Sequence, residues 1–203
     1  SLYQDHPWML AFGEGLVCYK PPLSKQEINN VKERLQISDD TLTLNLITPH
    51  NKWSIHSSWS DNLLMLTLGR GGPVIWISEA DAAKINIQDN DWVEVFNDNG
   101  TASCRAIVSQ RIPEGALIMY HNQERTVNVP LSSITGNRGG IHNSISRICP
   151  KPTHMIGGYA QLSYGLNYYG TIGANRDEFV IIRKCETVLW EDEDMEERKE
   201  VIR

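Results

Sequence analysis

The chain has 203 residues, 40% hydrophobic and 22% charged, with a formal net charge of −6. That balance is the balance of a globular protein able to bury its own core. No stretch approaches the run of about 20 apolar residues that would span a bilayer, and nucleic acid is disfavoured as a partner, since the bases are scattered singly. No basic n-region followed by an apolar stretch opens the chain, and it begins Ser1-Leu2-Tyr3 without an initiator Met, so it reads as a piece of a longer protein.

Residues 1–40 read as an N-terminal extension from a preceding part of that protein. Ser24 and Glu27 have capping-box spacing, and Ile28, Val31 and Leu35 recur on one helical face, which predicts a short amphipathic helix over about 25–35. A domain is expected over 41–185. Leu42, Leu44 and Leu46 alternate as a half-buried strand. A loop crowded with His50, Lys52, Trp53, Ser54, His56, Ser57, Ser58, Trp59 and Ser60 follows. It offers donors and flat rings but, apart from Asp61, no acid, as suits a large anionic ligand. Val74–Ile77 reads as a buried strand and Ser78–Lys84 as a capped short helix. Trp92–Phe96 and Ala102–Val108 form a hairpin around Asn99-Gly100. Ala116–Tyr120 is a further apolar run, and Phe179–Ile182 a closing strand. Closely spaced strands with one intervening helix predict a small closed barrel.

Between these last two strands the pattern changes. Residues 121–176 are dense in Gly and Pro, and no regular elements can be placed there; such a stretch inside a domain is commonly functional. No acid lies between Glu124 and Asp177, while Arg125, Arg138, Arg147, Lys151 and Arg176 do, which points to contact with phosphate. Residues 186–203 form an acidic tail with six carboxylates between Glu191 and Glu197.

The four cysteines, Cys18, Cys104, Cys149 and Cys185, lie far apart with no Cys-x-x-Cys pair, which argues against a zinc ribbon or a local iron–sulfur site. Buried reduced thiols and a cytoplasmic setting are expected. His50, His56, His121, His142 and His154 fall where a binding surface is plausible. They lack the spacing of paired metal ligands, and no acid stands ready to orient a catalytic His, so no catalytic or metal-binding residue is assigned. As hydrogen-bonding groups for phosphate, pterin or guanine they make sense together. Gly139-Gly140 before His142 is expected either to permit positive φ and close backbone approach to a bulky ligand, with successive amides that cradle a pyrophosphate, or to form a plain turn; Arg70-Gly71-Gly72-Pro73 is expected to form either an anion-binding nest or a plain loop between helix and strand.

Several stretches carry a resemblance. Thr48-Pro49-His50, Ser54-Ile55-His56-Ser57, Asp61–Leu66, Arg70–Pro73, Met119-Tyr120-His121, Gly139–Asn143 and Pro152–Tyr159 are similar to the C-terminal part of respiratory nitrate reductase alpha subunits, in the molybdopterin-guanine-dinucleotide (DMSO reductase) family. The resemblance implies a mainly β fold with short helices, a six-stranded double-psi β-barrel with long Gly-rich loops, over 41–185. It implies cofactor contacts from His50, His56, Ser57, His121, Gly140, His142 and Asn143; His154 lies in a matching motif without an implied contact. The implied cofactor is bis-molybdopterin guanine dinucleotide, with iron–sulfur clusters elsewhere in the parent enzyme. The parent would reduce nitrate to nitrite with electrons from quinol, on the cytoplasmic face of the membrane, together with beta (iron–sulfur) and gamma (membrane) subunits. The isolated piece is expected to be inactive and to hold no stoichiometric metal. Two other readings stand beside it: a stand-alone barrel that binds a nucleotide or a protein, and a small histidine-metal hydrolase.

Overall fold

A computed structural model describes residues 24–37, 40–121, 123, 128–146, 148–152, 162–166 and 178–191, with residues 24–27, 29, 148–152 and 162–166 described by their backbone alone. The expectations placed on Cys18, His154 and most of the acidic tail lie outside those residues.

Among the described residues eight strands and three α-helices are formed: α1 Ser24–Arg34, β1 Leu42–Ile47, α2 Leu63–Leu68, β2 Val74–Ile77, α3 Glu79–Lys84, β3 Trp92–Phe96, β4 Thr101–Val108, β5 Ala116–Ile118, β6 Ile148–Pro152, β7 Leu162–Leu166 and β8 Glu178–Lys184. Six of the strands close a barrel in the order β1-β5-β2-β4-β3-β8. Two pairs are parallel, β1 with β5 and β2 with β4; the remaining four are antiparallel. This is the mixed six-stranded double-psi architecture that the resemblance implied. The Gly-rich stretch is not wholly irregular: β6 and β7 pair as a separate antiparallel sheet, and His142–Ser144 is a turn of 3₁₀ helix. Pro150 and Pro152 within β6 hid that strand, since proline reads as a strand breaker.

Alternation builds the barrel interior. Leu44 and Leu46, Ile75 and Ile77, Val93 and Val95, Ala102, Cys104 and Ala106, Leu117, and Val180 and Ile182 all point inward, joined by Met119 and Ile145. Small residues on β4 face the larger ones across the interior. The outer face of β3 and β8 is covered as well: Phe96 and Ile181 pack against Ile28 and Val31 of α1, with Ile37 and Ile134 at the margin. Leu35, read as part of that helical face, lies past the end of α1 and is half exposed. Ser78 caps α3; its Oγ accepts from the amide of Asp81 at 3.0 Å and donates to the Asp81 carboxylate at 2.8 Å.

Candidate functional site

The site begins with strand register. In the parallel pair β1–β5, Asn45 stands opposite Ala116, Leu46 opposite Leu117 and Ile47 opposite Ile118. The ladder continues past both strands, because the amide of Met119 donates to the Ile47 carbonyl (3.0 Å) and that of His121 to the Pro49 carbonyl (2.9 Å). The same offset carried three residues further sets His50 opposite His121, and their ring centroids are 4.9 Å apart. Two histidines distant in sequence therefore become neighbours through backbone pairing alone.

Two more extend the row. His56 comes back over His50 with centroids 5.8 Å apart, edge to face. It does so from a tight turn in which Ile55 and Ser58 bridge and His56 itself adopts φ +49°. That left-handed geometry is uncommon for a residue other than glycine, though histidine is among those that tolerate it. On the other side His142 stacks on His121, 4.8 Å between centroids and 12° between planes. The order is His56, His50, His121, His142. His50 and His56 are exposed, His121 is half-buried and His142 is buried. Burial, and after it the neighbouring His121, lowers the pKa of His142 to about 4, so it is neutral at physiological pH. Its Nδ1 is buried and has no hydrogen-bond partner among the described residues.

His142 is delivered by the 131–146 segment, and glycine fits it against β4. A Cβ on Gly139 would meet Ser103 Cβ at 2.4 Å; one on Gly140 would meet Ser144 Oγ at 2.0 Å and the Thr101 carbonyl at 2.8 Å. Neither glycine has positive φ; in this segment only Gly136 does, at +67°. The expectation that these glycines serve a left-handed turn is thus corrected: they let the backbone lie flat on the barrel wall. Asn143 and Ser57 are exposed at the two ends of the row, Ser57 accepting from Ser60 Oγ through its carbonyl at 3.0 Å.

Arg70-Gly71-Gly72-Pro73 connects α2 and β2. Arg70 Nη1 pairs with Asp89 Oδ1 at 2.9 Å, and Gly72 packs on Asn128, where a Cβ would stand 3.1 Å from its carbonyl. Arg138, from the acid-free run, is ion-paired to Glu191 of the tail, so its charge is already answered.

Beside the histidine row lies a cavity of about 290 Å³, lined in part by Lys52, Trp53, Ser54, Trp76, Tyr120 and Gln123. Of its lining residues Trp53 and Leu68 are more than half exposed, and Ile55, Trp59, Leu63 and Leu64 nearby in sequence are exposed as well. Among the described residues no group of three His, Cys, Asp or Glu could hold a metal ion. The row suits an organic anion better than a cation. It presents four imidazole rings and the buried, unanswered Nδ1 of His142, flanked by the serine hydroxyls and backbone of a loop in which Asp61 is the one acid. Those donors and acceptors fit the edge of a pterin or the phosphates of a dinucleotide.

The chain has sequence relatives of high identity. The chain is 60% identical to the respiratory nitrate reductase 2 alpha chain of Escherichia coli (strain K12), over 96% of this chain and 16% of that protein. It is 51% identical to the nitrate reductase alpha chain of Bacillus subtilis (strain 168), over 94% of this chain and 15% of that one. Among solved structures, acetylene hydratase from Pelobacter acetylenicus aligns with TM-score 0.46 and 12% identity, over 64% of this chain and 17% of that chain. The chain thus spans less than one fifth of the length of these relatives. The family described as "Molydopterin dinucleotide binding domain" matches residues 44–162, well over half of the chain, and the chain belongs to that family.

Proposed function

We propose that this domain closes over a bis-molybdopterin guanine dinucleotide in the catalytic alpha subunit of a respiratory nitrate reductase. The supporting observation is the histidine row, in which the β1–β5 register places His50 beside His121 and the flanking loops add His56 and His142. The bound cofactor would supply the molybdenum at which nitrate gives up an oxygen atom to become nitrite. The residues of this chain hold and orient it. His121 and His142 present ring nitrogens to a pterin edge, and the neutral His142 can donate from one nitrogen and accept at the other. His50, His56 and Ser57 face a more exposed, more anionic part of the ligand, to which their N–H and O–H groups can donate. Asn143 adds an amide at the far end, while Gly140 shapes the corner that carries His142. Electrons would come from quinol through iron–sulfur clusters outside this chain, with beta and gamma subunits as partners on the cytoplasmic face of the membrane. No helix among the described residues is long and apolar enough to cross a bilayer.

The test is the double variant His50→Ala/His56→Ala in the full-length enzyme. A hydrogen bond to a charged group contributes about 1.5–3 kcal/mol, so molybdenum content should fall while the purified protein keeps its unfolding temperature. Full molybdenum occupancy in the variant, with nitrate reduction unchanged, would remove these two histidines from the cofactor site.

A further inference from the structure

We infer that Glu94 is a positioning residue for the histidine row: it ties the 131–138 loop to the barrel wall and so sets where the chain delivers His142. Glu94 lies in the middle of β3 between two inward-facing valines, and its side chain points to the outer face, yet it is only 1% exposed. A carboxylate removed from water needs donors, and this one has them from three sources. Arg183 of β8 reaches it with Nη2 at 2.8 Å and Nε at 3.2 Å, and Thr101 of β4 with Oγ1 at 3.4 Å. The loop supplies the hydroxyl of Ser132, in a short contact, and that of Ser133 at 2.7 Å. Burial pushes the Glu94 pKa up, and the hydrogen bonds from Ser132, Ser133 and Arg183 more than offset it, so the group stays ionised.

The connection from Glu94 to His142 runs through backbone. From Ser132 the chain turns at Gly136, whose amide returns to the Ser132 carbonyl at 2.9 Å, and Arg138 bridges back to Leu131. The next two residues, Gly139 and Gly140, rest on Ser103 and Thr101 of β4, and the 3₁₀ turn begins at His142. The far end is held separately: Asn97 Nδ2 donates to the Ile145 carbonyl at 2.6 Å. Glu94 fixes the entrance of the segment and Asn97 the exit, and His142 is carried between them. Glu94 does not touch His142. The inference deepens the cofactor reading and rests on it for its purpose, but its measurement does not.

Two variants of the full 203-residue chain decide it: Glu94→Gln, and Ser132→Ala/Ser133→Ala, which unties the loop while leaving the Glu94–Arg183 pair in place. The readout is the NMR titration of the His142 imidazole, with the amide spectrum of β3, β4 and β8 reporting the barrel. Released from the wall, the loop should let water reach His142. Its pKa should then climb from about 4 by about 1 or more, a tenfold change in proton affinity, with the barrel signals in place. An unchanged His142 titration in the double serine variant overturns the inference, whatever happens to stability; should Glu94→Gln fail to fold, that double variant alone decides. A moved titration together with unaltered molybdenum content in the assembled enzyme would leave the tether standing and count against the cofactor reading.

Discussion

The imidazole of His142 lies flat on that of His121, with 12° between the planes, and the burial of His142, with this neighbour second to it, makes folding sensitive to acid. His142 titrates at about 4 in the native chain because burial penalises its cation and His121 stands beside it; in the unfolded chain it titrates near its reference of about 6.5. Between those values the unfolded chain binds more protons, so stability is fully present above pH 6.5 and is lost as pH falls towards 4. Urea unfolding at pH 7 and at pH 4.5 should show a smaller acid-side loss for His142→Asn than for the parent. Equal losses would mean that His142 does not carry the effect.

Gly140→Ala should destabilise the chain by about 1–3 kcal/mol, the range for overpacking a filled site. The new Cβ would meet Ser144 Oγ, Ser144 Cβ and the Thr101 carbonyl. Adding Ser144→Gly removes the first two of those clashes and leaves the third. Denaturant titrations of the two single variants and the double should therefore show partial recovery, a positive coupling between sites in contact. Strict additivity would place the cost elsewhere.

Cys104 is completely buried and Cys185 half-buried; burial raises both thiol pKa values, that of Cys185 to about 12. Since the thiolate is the reactive form, neither should alkylate appreciably with iodoacetamide at pH 8 in the folded chain, and both should do so in urea. Peptide mapping by mass spectrometry reads each site separately. Rapid native labelling of Cys104 would show that the barrel opens far more often than its packing implies.

A strong chelator should leave the thermal unfolding of the chain unchanged, because no described group of three ligating side chains could hold a metal ion. A large drop in unfolding temperature on chelation, reversed by zinc, would instead revive a histidine-metal site.

Much of the barrel was legible because half-buried strands announce themselves by alternation. Val93 and Val95 or Val180 and Ile182 give the inward face directly. Register was not legible, since nothing local in Ile47 or Ile118 says that they pair, and the meeting of His50 and His121 depends on that pairing. The histidines could be proposed as a group from the resemblance and their acid-poor surroundings, but not placed in a row. Gly139 and Gly140 were read as conformational devices because positive φ is glycine's best-known use; their neighbours Ser103 and Ser144 come from other parts of the fold. Glu94 was passed over for a related reason. In an alternating strand a glutamate between two valines reads as solvent-facing, and only the loop carrying Ser132 and Ser133 turns that outer position into an interior one.

The strand that closes the barrel has a consequence for how the molecule is made. β8 is the last described strand of the chain, and it pairs with both β1 and β3, joining Leu42 to Ile182 and Val95 to Ile182 from opposite sides. Until residues 178–184 have left the ribosome, β1 and β3 are open edges, each displaying unpaired amides and carbonyls to any strand that passes. Pairing across most of the chain's length is also slow to find. The nascent chain therefore spends its synthesis with two adhesive margins. The outer wall of β3 and β8, against which α1 packs and on which Glu94 takes its bonds from Arg183, exists only from the moment the ring shuts.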